Sequence, residues 1–105
     1  MRFIETPVFT RAVVELLDDE EYHRMQLALL FQPHLGRTIR GTAGLRKMRW
    51  TVEAQGKRAG LRVIYFWDEP SETFYMLYVY RKSEREDLTA KQLKELSRLI
   101  REEFG

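Results

Sequence analysis

The sequence predicts an α+β fold, and three observations carry the prediction. Helix start signals and helical spacing fill the first third of the chain. A period of two takes over near Thr38 and runs to Tyr80, and one amphipathic helix closes the chain. Two N-terminal helices, a small antiparallel sheet and a C-terminal helix packed on it form one domain over 1–105. A chain of 105 residues holds one core and is too short for two.

Met1 to Thr6 is short and weakly apolar, through Phe3 and Ile4, and suits a first strand or an extended lead-in. Thr6-Pro7 reads as a helix start, with Thr6 as N-cap and Pro7 where a missing N–H costs nothing. Phe9, Val13 and Leu16 follow at helical spacing. Asp18 opens a second helix and forms a capping-box-like pair with Glu21, while Glu20 and Glu21 suit the positive end of its dipole. The acidic run is most simply a solvated cap. Tyr22, Met25 and Leu29 mark the apolar stripe, and Pro33 with Gly36 ends the helix.

Beyond Thr38, Gly41 and Gly44 bracket a turn and Leu45 begins a strand. Met48, Trp50 and Val52 share one face of it, and Lys47, Arg49 and Thr51 share the other. Gln55 to Gly60 reads as a glycine-bounded hairpin loop. Leu61 to Trp67 has the apolar, β-favouring composition of a central strand, with Arg62 its one charged interruption. Asp68-Glu69-Pro70-Ser71 is a turn, and Thr73 to Tyr80 a further strand rich in aromatics. Thr89 and Gln92 form another capping-box pair before the last helix. Its stripe, Leu93, Leu96, Ile100 and Phe104, is expected to pack on the sheet.

Composition narrows the chemistry. Apolar residues at 44% and charged residues at 32% describe a folded domain rather than a disordered one. The absence of cysteine removes disulfides, thiolate zinc sites and thiol nucleophiles, and fits a reducing compartment. Glu5 and Pro7 interrupt what a signal peptide needs as its apolar region, and no apolar run approaches a membrane span. The chain therefore reads as cytoplasmic and complete in itself, with no membrane contact. His23 and His34 lack an accompanying acid cluster and read as surface residues, so neither metal nor cofactor is expected. Gly56-Lys57 lacks the rest of a P-loop, and Ser71, Ser83 and Ser97 lack a nucleophile-elbow context.

Charge is concentrated in one place. Between Arg37 and Arg62 stand eight bases (Arg37, Arg40, Arg46, Lys47, Arg49, Lys57, Arg58, Arg62) and one acid, Glu53, so the segment carries 8 − 1 = +7 while the chain nets +2. Met1 to Gly36 carries six acids and three bases. A local field of this kind attracts a polyanion. Arg62 is the sharpest residue, because a charge in an apolar strand needs a partner such as Glu53 or a cleft to reach. Lys47, Arg49, Arg62 and Lys82 on one surface suit cleavage of a phosphodiester by an RNA 2′-hydroxyl, which needs cations, a base and an acid. Lys47 and Lys82, each beside arginines, are candidates for a lysine tuned by neighbouring cations. Arg46, Lys57 and Arg58 are expected to bind substrate, with Tyr65 and Tyr80 as stacking platforms among the aromatics.

The runs GTAGLRKMR (Gly41 to Arg49), GKRAG (Gly56 to Gly60) and RVIYF (Arg62 to Phe66) are followed by Tyr80, Lys82 and Glu84, then by Asp87-Leu88-Thr89. In this order, over nearly the whole chain, the sequence resembles the HigB-type branch of the RelE/ParE toxin superfamily. The resemblance implies the RelE-like arrangement of two N-terminal helices, an antiparallel sheet and a C-terminal helix. It implies a type II toxin that cleaves messenger RNA on the translating ribosome and is neutralised by a helix-turn-helix, HigA-like antitoxin. Lys47 and Arg49 take the place of the family's basic strand residues, Arg62 that of its phosphate-binding arginine, and Lys82 that of its base after the last strand. RelE-like members carry a late tyrosine where this chain has Leu88, and the histidine-based variants are not matched. Lys47, Tyr80 or Glu84 then has to serve as general base. Two further readings stay open on the same scaffold: a ParE-like inhibitor of DNA gyrase, and a non-catalytic RNA- or ribosome-binding module.

Overall fold

Caps fix where the helices begin. In the computed structural model, which describes residues 1–54 and 57–104, β1 (Arg2–Glu5) leads directly into α1 (Pro7–Leu16). Thr6 Oγ1 accepts from Phe9 N–H at 3.0 Å and donates to the Leu77 carbonyl at 2.8 Å, so one side chain both caps α1 and ties it to a distant strand. Asp18 Oδ1 accepts from Glu21 N–H at 2.7 Å at the start of α2 (Asp19–Phe31). Glu21 does not return the bond of a capping box; its carboxylate takes Arg24 instead. The reciprocal box forms at α3 (Ala90–Phe104), where Gln92 N–H donates to Thr89 Oγ1 at 3.1 Å and Thr89 N–H to Gln92 Oε1 at 2.9 Å.

The remaining elements are β2 (Arg37–Thr38), β3 (Arg46–Ala54), β4 (Lys57–Asp68) and β5 (Thr73–Arg81). They form a five-stranded sheet in the order β1-β5-β4-β3-β2. The expected purely antiparallel sheet is corrected to a mixed one, because β1 lies parallel to β5 at the edge, with Phe3 opposite Phe74. The connection from β1 runs through both N-terminal helices and three strands before β5 arrives, as a parallel neighbour requires. A short β2, two residues long, was not expected. The turn into β3 does use its glycines as anticipated, with Gly41 at φ +78° and Gly44 at φ +95°.

Helices cover both faces. One face packs Met48, Val52, Leu61, Val63, Tyr65, Phe74, Met76 and Val79 against Phe9 and Val13 of α1 and Met25 and Leu29 of α2. The other packs Leu45, Ile64, Leu77 and Tyr80 against Leu88 and the α3 residues Leu93, Leu96 and Ile100. The α3 stripe therefore packs on the sheet as expected, while the side chain of Phe104 lies outside the described residues. Ser97, buried in α3, accepts from Ala43 N–H at 3.2 Å and pins the helix to the glycine turn. A register shift between Ile64 and Tyr65 marks a bulge against β5.

Tyr65 is the node of the first face. Its hydroxyl accepts from Gly36 N–H at 2.8 Å and donates to the Pro33 carbonyl at 2.9 Å, which stitches the segment after α2 onto the sheet. Gly36 has to be glycine, since a Cβ there would stand 2.8 Å from Tyr65 Cε1 and 3.0 Å from the Lys47 backbone. Arg46 completes the knot by donating to the Gly36 carbonyl at 2.7 Å.

Candidate functional site

Strand register assembles the basic cluster. Arg49 lies opposite Arg62, and Arg62 lies opposite Tyr80, so three adjacent strands contribute one row to the α3 face. In the next row Lys47 lies opposite Ile64, and Ile64 opposite Tyr78. This face is not left open, because α3 packs on it. Since α3 covers Leu45 and Ile64, the charged side chains are confined to the margin that it leaves uncovered. Beside that margin opens a pocket of about 340 Å³ lined by Lys47, Ile64, Tyr80, Asp87 and Leu93, among others.

Arg62 is the unusual member. It is 7% exposed, and its guanidinium donates to its own neighbour's carbonyl, Leu61, at 3.1 Å. Among the described residues no carboxylate lies within 4.0 Å of it. The partner weighed from sequence, Glu53, is taken by Arg58 at 2.8 Å on the exposed end of the hairpin. A buried cation facing a second arginine across the ladder carries an electrostatic cost that an anion relieves.

Lys47 is held differently. Its ammonium pairs with the Asp87 carboxylate, half-exposed, in the loop between β5 and α3. Leu88, buried in the second core, anchors that loop and so sets Asp87 over β3. Arg46 turns away to the opposite face, which takes one of the cations expected around Lys47 out of its reach and leaves Arg37, opposite it on β2, and Arg49. Tyr80 sits between the charges: its hydroxyl donates to the Glu86 carbonyl at 3.3 Å. Burial first, and Asp87 second, push its phenol above the ordinary value, while Arg62 and Arg85 pull it back in part. It therefore faces the site as a neutral phenol. Lys82 follows β5 and is exposed; its N–H donates to the Gly60 carbonyl at 2.9 Å. Gly60 separates Lys82 from the arginine: a Cβ at Gly60 would lie 3.9 Å from Arg62 Nη1 and 3.9 Å from Lys82 Cβ.

The structure thus brings together Lys47, Arg49, Arg62 and Tyr80, with Lys82 beyond Gly60. Three sequence expectations are corrected. Tyr65 is wholly buried on the opposite face with both hydroxyl partners internal, and Tyr80 is buried in the second core, so neither offers an open stacking platform. Arg46 shares that face and serves the Gly36 knot. Arg58 and Glu84 are engaged in exposed ion pairs, Arg58 with Glu53 and Glu84 with Arg81 at 2.9 Å. The side chain of Lys57 lies outside the described residues, as does the tip of the hairpin at Gln55-Gly56. Asp87 is the residue that sequence reading missed as a site member. Its partner stands 40 residues earlier, and its place beside Thr89 marked it only as part of a helix start. No protein-family model matches the chain.

The arrangement can hold one phosphate. Arg49 and Arg62 present guanidinium donors from adjacent strands, Lys47 and Lys82 add ammonium charge from either side, and Asp87 supplies a carboxylate against Lys47.

Proposed function

We propose that the chain is a HigB-type toxin of the RelE/ParE superfamily, an endoribonuclease that cuts messenger RNA on the translating ribosome. The observation that carries the reading is Arg62: a buried guanidinium with no carboxylate partner among the described residues, in register with Arg49, on the one face where Lys47 and a loop carboxylate meet. Such a cluster is costly for the free protein and suited to a phosphodiester.

In this reading the 2′-hydroxyl oxygen attacks the adjacent phosphorus and the bond from phosphorus to the 5′-oxygen breaks. Arg62 and Arg49 hold the non-bridging oxygens, whose charge rises in the transition state. Asp87 accepts the 2′-hydroxyl proton as the incoming phosphate draws Lys47 off it, and Lys47 donates to the departing 5′-oxygen. Tyr80, buried and neutral, backs Arg62 from the adjacent strand. Lys82 binds the neighbouring phosphate. The helix-turn-helix antitoxin and the ribosome are the partners this reading entails, and the cytoplasm its compartment. Among the described residues no helix is long and apolar enough to cross a membrane.

The test is inducible expression with mapping of RNA 5′ ends for the wild type and for Arg62→Ala. New ends that vanish in the variant support the reading. Growth arrest without new ends overturns it, and DNA damage signalling in their place points to gyrase.

A further inference from the structure

The outer edge of β3 is only partly paired. β2 reaches no further than Lys47, which lies opposite Arg37, and among the described residues no strand adjoins Arg49 to Glu53 on that side. The hydrogen-bond parity of this edge follows from two separate contacts. Ile39 N–H donates to the Leu45 carbonyl at 2.8 Å, so Leu45 turns its backbone outward, and by alternation so do Lys47, Arg49, Thr51 and Glu53. On the other side Lys82 N–H donates to the Gly60 carbonyl, so Gly60 faces β5, Leu61 faces β3 and its partner Trp50 faces β4. Both routes leave the N–H and C=O groups of Arg49, Thr51 and Glu53 directed away from the sheet, at exposed residues.

Natural edges are protected by like charges, prolines or bulges. This one has an uninterrupted register through Ala54 and no proline. Its charges are Arg49 and Glu53, placed symmetrically about Thr51. We propose that β3 pairs antiparallel with β3 of a second copy about a two-fold axis at Thr51, so that two sheets join into one. In that register Thr51 meets Thr51, and Arg49 of each copy meets Glu53 of the other, which makes the edge self-complementary rather than self-repelling. Arg58 occupies Glu53 Oε1, and Oε2 remains for the second arginine.

The apolar side agrees with the same register. Trp50 meets Val52 of the other copy as a close, non-hydrogen-bonded pair, an aromatic against a β-branched residue. An axis perpendicular to the sheet keeps like faces together, so both basic clusters look out from the same side. This pairing does not depend on the ribonuclease reading. The edge is short, so the dimer is a weak one.

Sedimentation velocity over a range of concentrations tests it, with circular dichroism to verify folding. The wild type is expected to move from monomer to dimer as concentration rises into the hundreds of micromolar. Thr51→Pro removes one outward N–H that no strand of the same chain uses, and is expected to stay monomeric. Glu53→Arg places like charges opposite each other and weakens association roughly tenfold. Adding Arg49→Glu to it swaps the pair and restores association to within about threefold. A chain that stays monomeric at every concentration overturns the proposal, as does a dimer indifferent to Thr51→Pro or to the charge swap. If Thr51→Pro fails to fold, the charge-swap pair decides alone.

Discussion

Arg49 and Arg62 stand directly opposite each other on adjacent strands, two cations facing each other across the ladder with the second of them buried. Packing explains their neighbours, yet among the described residues no carboxylate lies within 4.0 Å of Arg62 to offset the pair. Like charges in direct register are destabilising, and a buried cation without a carboxylate adds to the cost. The pair is intelligible as stored repulsion that a bound anion releases.

Replacing the buried member by an apolar residue of similar length separates stability from function. Arg62→Met is expected to raise stability by about 1 kcal/mol, which shifts the melting temperature up by roughly 4–8 °C in a domain of this size. RNA cleavage should be abolished at the same time. A scanning calorimetry trace that moves downward counts against the stored-repulsion account.

Asp87→Asn tests the loop carboxylate. The pair with Lys47 is too exposed for its loss to cost more than about 1 kcal/mol, and the buried Leu88 still holds the loop. Cleavage is expected to fall by at least about a hundredfold, the scale of losing a proton acceptor. RNA affinity should hold or rise, because one negative charge leaves the face. Affinity and rate falling together would mark Asp87 as merely structural.

The knot at Gly36 is a stability feature remote from the chemistry. Gly36→Ala forces a methyl against the Lys47 backbone and Tyr65, and should destabilise by about 1–3 kcal/mol. Tyr65→Phe leaves the buried Gly36 N–H and the Pro33 carbonyl without their partner, a loss of about 1–3 kcal/mol. Urea midpoints for the two single variants and the double variant should show them to be non-additive, since both break one contact set.

Stability should decline in alkali. Burial raises the phenols of Tyr22, Tyr65 and Tyr80 above the ordinary value of 10.0, with the Glu5 carboxylate adding to the effect at Tyr22 through a 2.5 Å hydrogen bond. Above pH 10.0 the unfolded chain loses protons that the folded chain keeps, so unfolding is favoured as pH rises. Below pH 10.0 these groups are protonated in both states and contribute no slope. The melting temperature should be level toward neutrality as far as these groups matter and drop beyond pH 10.0, and less steeply for Tyr22→Phe.

Much of this architecture could be read from short-range signals. Thr6, Asp18 and Thr89 mark the three helix starts, since a cap is a contact between residues three apart. Alternation assigned Met48 and Val52 to the core and Lys47 and Arg49 to the other face. The same alternation places Arg46 with Met48 rather than with Lys47, and Tyr65 with Val63, so neither charge nor aromaticity decides which face a strand residue takes. What could not be read was long-range. The parallel pairing of β1 joins residues 71 apart, and the ion pair of Lys47 with Asp87 spans 40. No local period encodes either contact. The cover that α3 gives to part of the basic face depends on where a loop returns the chain, which composition does not specify.

The edge position of β1 has a consequence for synthesis. A ribosome makes this strand before the rest of the sheet, and its neighbour β5 follows about seventy residues later, several seconds at ordinary elongation rates. Until then Phe3 and Ile4 have no sheet to join, and α1 lacks the Leu77 carbonyl that anchors its cap. The last strand of the sheet to be made thus closes over the earliest one. A nascent chain stalled before Thr73 lacks the shared neighbour of β1 and β4, so truncated products leave β1 unpaired on both sides and open a new edge along β4.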